Sequence, residues 1–132
     1  MKITNCHERI VAAPPERIAA LIADFGRVWP TQIAPAPRRQ GHRLYDAGPM
    51  LWEEFDRPGA VRAFRVVRPD QLQAEHWFEL TLAGGATVLR HTVDGWAAGK
   101  YEAIWRERIE PLHDLIIEAL LENIEAAAAS GG

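Results

Sequence analysis

The sequence predicts an α+β domain in which a run of antiparallel strands packs against one long C-terminal helix. The first observation behind this is a stripe of apolar residues, Tyr101, Trp105, Ile109, Leu112, Ile116, Leu120 and Ile124, that recurs at helical spacing. Ile104, Ile117 and Leu121 widen the stripe, so a helix over 101–128 requires a broad concave partner rather than a coiled-coil seam. The second is the punctuation of residues 49–94 by the turn sequences Arg57-Pro58-Gly59-Ala60, Arg68-Pro69-Asp70-Gln71 and Ala83-Gly84-Gly85, which reads as successive hairpins. The third is the segregation of helices to the two ends of that run, which argues α+β over a parallel sheet.

The elements follow in order. Residues 3–13 are β-compatible, with Cys6, Glu8, Ile10 and Ala12 on one side and Asn5, His7, Arg9 and Val11 on the other. Pro14 and Pro15 stop the strand, and proline followed by Glu16 opens a helix. Ile18, Leu21, Ile22 and Phe25 give that helix an apolar face ending near Gly26, and a second short turn carries Val28 and Trp29. Residues 30–41 hold three prolines and little apolar pattern, and read as a loop or poorly formed strand. Strands are expected over 42–46, 49–56, 61–67, 72–82 and 86–94, with Gly95 and Gly99 bracketing the approach to the long helix. Pro111 lacks a backbone donor and clashes with the carbonyl four residues earlier, so the helix should kink or restart near 107–110. Tyr101, Ile104 and Trp105 then close one end of any cavity, while 116–124 anchor the core.

The 132 residues suit a single domain, expected over 1–128 with a fraying tail at 129–132. A composition 48% hydrophobic and 25% charged is that of a globular protein, and a net charge of −3 argues against nucleic acid. Arg38, Arg39 and Arg43 read as a solvated cluster. The single cysteine, Cys6, excludes an internal disulfide and a cysteine-built metal site. No leader pattern opens the chain and no apolar run approaches bilayer length, so the expectation is a soluble cytoplasmic protein, monomeric or homodimeric.

The motifs Val11-Ala-Ala-Pro-Pro-Glu-Arg-Ile18, Gly48-Pro-Met-Leu-Trp-Glu-Glu54, His76-Trp-Phe78, Leu89-Arg-His91 and Trp105-Arg-Glu-Arg-Ile-Glu-Pro-Leu-His-Asp114, in this order of elements, resemble the SRPBCC, or START-like, superfamily. Within it they look like small bacterial proteins of polyketide cyclase/dehydrase-like type. The resemblance covers essentially the whole chain. It implies a helix-grip fold, a curved antiparallel sheet wrapped around the terminal helix with a cavity between them, and relatives that include pollen allergens, lipid-transfer domains, aromatase/cyclases and an Hsp90 co-chaperone. Ala19 departs from the aromatic that many members carry beside the cavity. The superfamily has no shared catalytic motif, so fold does not settle activity.

Candidate site residues come from propagating sheet faces through the turns, because paired residues share a face. Leu72, Ala74, Phe78, Leu80 and Leu82 alternate with polar residues, which turns His76 inward. A two-residue connection at Ala83-Gly84 or Gly84-Gly85 brings Leu89, His91 and Val93 to the same face, with His76 and His91 cross-strand or diagonal neighbours. Two-residue connections at Pro69-Asp70 and Pro58-Gly59 add Ala63, Arg65 and Val67, then Trp52 and Glu54. Leu51, Glu53, Phe55, Arg62, Phe64 and Trp77 would face out, which is more apolar than a solvated face should be; it signals either an interface or a reversed first hairpin.

The expected ligand-binding set is Trp52, Glu54, Arg65, His76, Phe78, His91 and Trp105, an apolar wall with a few convergent polar groups. Glu54, His76 and His91 are the candidates for proton transfer, and Arg65 for holding a carboxylate or phenolate. Against this stands internal pairing of Glu54 with Arg65 and of the histidines with backbone. His76, His91 and Glu54 imitate a metal donor set but lack the short spacings of familiar sites, so no metal and no cofactor are expected. His113, four residues from Ile109 and from Ile117, sits on the flank of the stripe and reads as a core or boundary histidine capped by Asp114 or a carbonyl. Cys6 and His7 point to opposite faces, Ser130 lies in the tail, and no glycine-rich phosphate loop occurs, so nucleophilic and nucleotide chemistry are not expected.

The function expected is binding of a small hydrophobic or aromatic molecule. If there is activity, the resemblance implies cofactor-free cyclisation, dehydration or isomerisation. The alternatives are a non-catalytic carrier of lipids or other hydrophobic ligands, and an interaction module of the Hsp90 co-chaperone type motivated by Leu51, Phe55, Phe64 and Trp77.

Overall fold

A computed structural model describes residues 1–130 of the chain. Seven strands, β1 (Lys2–Val11), β2 (Arg38–Gly41), β3 (Leu44–Ala47), β4 (Met50–Phe55), β5 (Arg62–Arg68), β6 (Leu72–Ala83) and β7 (Ala86–Ala97), form one antiparallel curved sheet in the order β1-β7-β6-β5-β4-β3-β2. Six of the strands are a meander, and β1 closes onto β7 at the far edge. Helices α1 (Pro15–Ala23) and α2 (Phe25–Val28) carry the chain from one sheet edge to the other. The terminal helix α3 consists of Tyr101–Ile104, a π-helical turn at Trp105–Ile109, and Glu110–Ala129. The tail expected at 129–132 is still helical at Ala129, and its last two residues lie outside the described residues. No helix is long and apolar enough to cross a membrane among the described residues.

Two elements run past their expected limits, each for a physical reason. Part of the stretch expected as a loop or poor strand does pair: β2 joins β3 through Arg38 with Asp46 and Arg39 with Tyr45, an exposed edge whose charges discourage further pairing. The last strand does not stop at Asp94, because it is held on both sides, with Lys2 opposite Trp96 and Leu72 opposite Ala97. Gly95 therefore marks a close approach and not an end. A Cβ there would lie 2.2 Å from the Gln73 carbonyl oxygen and 2.5 Å from the Ala74 Cα.

The π turn shows what Pro111 does to the terminal helix. Proline supplies no N–H to the preceding turn, and the backbone widens at Trp105–Ile109, just before it. A wide turn absorbs an extra residue and rotates everything after it. Leu112 was expected on the apolar face, yet it is 46% exposed; His113 and Ile117 take the inward positions instead. From there Leu120, Leu121 and Ile124 resume the stripe as expected, all fully buried.

The core has two parts. Val11, Ile18, Ile22, Phe78, Leu89, Leu120, Leu121 and Ile124 pack α1, the sheet and the far half of α3 together. Ile3, Leu72, Ala74, Val93, Ala97 and Trp105 form a separate cluster at the opposite end of the groove. Between them the groove is incompletely filled.

The crowding at Gly95 gives a direct test. Gly95→Ala should lower stability by about 3 kcal/mol, whereas Gly85→Ala, in the β6–β7 turn with nothing within 4 Å of its added Cβ, should be close to neutral. Urea unfolding of the two variants checks this.

Candidate functional site

The register of the sheet decides which side chains reach the groove. Arg62 lies opposite Phe78 and Phe64 opposite His76, so Arg62 and Phe64 share the inward face with the histidine. Glu54 lies opposite Phe64 and Trp52 opposite Val66, which keeps both inside. The connection after β5 spans Pro69, Asp70 and Gln71, one residue more than the two expected, and this reverses β5. The turn before it carries the same one-residue offset, so the two errors cancel at β4.

Arg65 is the correction that follows. Instead of lining the groove it stands on the outer face, 3.4 Å from Glu53 and with its guanidinium 4.1 Å from the Phe55 ring. The expected outward Phe64 is 1% exposed and inside, which removes much of the apolar excess on the outer face. Trp77 does face out, but the Arg57 guanidinium covers it at 3.6 Å. Arg62, also expected outside, is the cation that Glu54 meets, at 3.3 Å. Arg62 further donates to the Ile22 carbonyl at 2.9 Å and to the Tyr45 hydroxyl at 3.1 Å, so it caps the end of α1 while neutralising Glu54. Glu54 is thereby committed to an ion pair and does not line the cavity.

Five of the expected residues, Trp52, His76, Phe78, His91 and Trp105, do line an interior cavity of about 70 Å³ between the two core clusters. Trp29, Met50, Ile109 and His113 complete much of its wall. The rings form a ladder across it. Trp52 meets His76 edge-on at 4.3 Å between centroids, His76 lies 5.7 Å from His91, and His91 lies 5.3 Å from His113. His113 in turn stands 6.4 Å from Trp105. His76 and His91 are diagonal neighbours, since their direct partners are Val93 and Phe78. His113, expected as a core or boundary histidine, is inside, in keeping with the i+4 series Trp105, Ile109, His113, Ile117, but no cap from Asp114 or a carbonyl among the described residues comes within hydrogen-bond distance of its ring.

The cavity is apolar in area but not in chemistry. Trp52 Nε1, His76 Nε2, His91 Nδ1 and both ring nitrogens of His113 are buried without a hydrogen-bond partner. Burial pushes His76 down to about 3 and His113 down to about 4, and holds His91 well below the usual imidazole range; repulsion from His113 adds to the first and last, and repulsion from His7 to His113. All three are neutral at pH 7, each offering one N–H and one lone pair.

Beside the cavity, β1 lays a polar row under the terminal helix. Asn5 donates to Asp114 at 2.9 Å and to Glu110 at 3.1 Å, His7 bridges Asp114 at 2.8 Å and Glu118 at 2.6 Å, and Arg9 reaches Glu125 at 3.1 Å. Burial opposes protonation of His7, but the hydrogen bonds to Asp114 and Glu118 outweigh it and raise its pKa.

The comparisons with known proteins rest on structure. No protein-family profile matches the sequence, and no curated protein matches it as a relative. Among solved structures, the Zhui aromatase/cyclase from a Streptomyces species superposes with a TM-score of 0.70 at 16% identity, covering 98% of this chain and 94% of that one. A Thermus thermophilus protein gives 0.64 at 18% identity, covering 98% and 99%. A START superfamily protein from Mycobacterium smegmatis gives 0.63 at 15% identity, with 98% and 99% covered.

The depressed histidines predict how stability changes with acid. His76 binds its proton in the unfolded chain near pH 6.5 but in the folded chain only near 3, so stability is intact above pH 6.5 and declines below it. Urea unfolding at pH 7 and pH 5 should show a loss that is smaller by about 2 kcal/mol in His76→Phe than in the parent protein. With the sheet order, the gripped terminal helix and these whole-chain superpositions together, the chain has the helix-grip fold that these solved structures share.

Proposed function

We propose that the protein binds a small hydrophobic or aromatic molecule in the cavity between the sheet and the terminal helix. The observation that carries this reading is the set of unpartnered buried nitrogens on Trp52, His76, His91 and His113. An orphaned buried polar group costs about 1–3 kcal/mol, and a ligand that reaches several of them recovers that cost. Neutral imidazoles present donors and acceptors together, so the ligand class that fits is an aromatic or enolic compound with hydroxyl and carbonyl groups on a flat apolar body. Ligand pockets typically measure about 300–1,000 Å³. At about 70 Å³ the cavity accepts a small ring system as it stands. A larger ligand requires the half-buried Met50, Val66, Tyr101 and Ile109 to part.

Whether the molecule is transformed is a separate matter. The fold shared with the Zhui aromatase/cyclase supports a cofactor-free cyclisation or dehydration, with His76 or His91 passing a proton between positions of an oriented substrate. The low basicity of these rings favours a second reading, a non-catalytic carrier, because a group with a pKa near 3 abstracts protons poorly at neutral pH. The interaction-module alternative loses two of its four motivating side chains, since Phe64 and Trp77 are buried.

Tryptophan emission reports on the site directly, because Trp29, Trp52 and Trp105 border the cavity. Titration with hydroxylated one- and two-ring aromatics should give a saturable change, and a flat response to these and to fatty acids alike would reject both the enzyme and the carrier. His91→Leu should weaken the hydroxylated ligands about tenfold while affecting their unsubstituted hydrocarbons little, the share of one hydrogen bond.

A further inference from the structure

From the groups that β1 and the terminal helix bring together beside the cavity, we infer that His7, His113 and Asp114 form a binding site for a divalent transition-metal ion of the zinc type. One ligand atom from each lies within 4.8 Å of the others. The His7 Nε2 to Asp114 Oδ1 separation is 2.8 Å and the His113 Nδ1 to Asp114 Oδ1 separation is 3.7 Å. Ligands at zinc bonding distance on a tetrahedron stand roughly 3.4 Å apart, between those two values. The two separations to Asp114 thus bracket the spacing of a tetrahedral site, and the two imidazole donors lie within 4.8 Å of each other.

The surroundings are those a metal-bound imidazole uses. The other ring nitrogen of His7 meets the Glu118 carboxylate at 2.6 Å, which fixes the tautomer that leaves Nε2 as the ligand atom. Asn5 donates to the same Asp114 oxygen at 2.9 Å and to Glu110 at 3.1 Å, which fixes the carboxylate in place. Two imidazoles and one carboxylate are a donor set suited to zinc, with water left to complete the coordination. Asp114 and Glu118 are each about half exposed, which gives the ion a route from solvent.

A metal-free account explains only half of this arrangement. His7 held between two carboxylates is a sufficient ion pair by itself, yet it leaves both nitrogens of His113 buried and unpartnered one residue from Asp114. An ion satisfies Nδ1 of that ring and leaves Nε2 to the cavity. This site is distinct from the His76, His91 and Glu54 set, in which Glu54 is paired to Arg62. It also stands without the ligand-binding reading, because none of its three donors depends on a cavity occupant.

Cobalt(II) tests it, as a zinc substitute with a visible spectrum. The intact protein at pH 7 should bind one equivalent with the absorption of low-coordinate cobalt, and zinc should displace it. His113→Leu and His7→Gln should each weaken binding at least thirtyfold, and Glu118→Gln about tenfold. His42→Ala, on an exposed histidine outside the site, should change nothing. Circular dichroism without metal checks each fold, and should His7→Gln fail to fold, His113→Leu decides. Absence of the cobalt spectrum, or its persistence in His113→Leu, overturns the site.

Discussion

The missing N–H of Pro111 sets what the terminal helix shows to the sheet. Without it the ladder of helical hydrogen bonds has a gap, and the backbone answers with the π turn over Trp105–Ile109. The apolar stripe before the turn and the one after it are thereby put out of phase with an ideal helix. Trp105 and Ile109 on one side, and Ile117 and Leu120 on the other, meet around a gap that neither half fills. His113 falls into that gap because the rotation turns Leu112 to solvent. Both the cavity and the polar row under the helix depend on this phase change, since His113 and Asp114 are adjacent in sequence and serve one each.

Electrostatically, the two sides of that pair are opposites. Toward the cavity, three imidazoles crowd one another in a setting that excludes charge, and each stays neutral chiefly through burial. Toward β1, carboxylates of Asp114 and Glu118 surround His7 and favour its charged form despite burial. A chain of rings thus runs from an uncharged interior to a charged seam within the width of one helix. His113 is the ring where the two meet, with one side toward the cavity and its Nδ1 3.7 Å from Asp114.

Much of this was legible from the residues, and the misses have specific causes. Turn chemistry and alternation located β4 to β7, and the inward face of β6 and β7 followed from Leu72 to Leu82 and from the Gly84-Gly85 turn. Trp52 and Glu54 were placed inside for a wrong reason, two one-residue offsets that cancelled. Arg65 and Arg62 exchanged roles because a parity argument has no tolerance for a three-residue connection. The excess of aromatics on the expected outer face was the visible symptom of that error. The spacing of His113 left core and boundary equally open, since Pro111 announces a break but not whether the helix kinks or widens. The partnerless nitrogens of the cavity were equally hidden, because sequence shows which groups are polar and not which are left over.

Sheet order has a consequence for how the molecule comes together. β1 is the first strand made, yet its only partner in the sheet is β7, with Lys2 opposite Trp96 and Val11 opposite Thr87. During synthesis the strand must wait, with both edges open, while nearly all the rest of the sheet is built. Its middle makes the wait tolerable: Thr4, Asn5, Cys6, His7, Glu8 and Arg9 are polar on both faces, and the apolar Ile3, Ile10 and Val11 are confined to the ends. Closure by β1 joins distant parts of the chain, and its polar residues meet the carboxylates of the terminal helix, which is made last. The late-pairing strand is thus also the one whose polarity keeps it soluble until its partners exist.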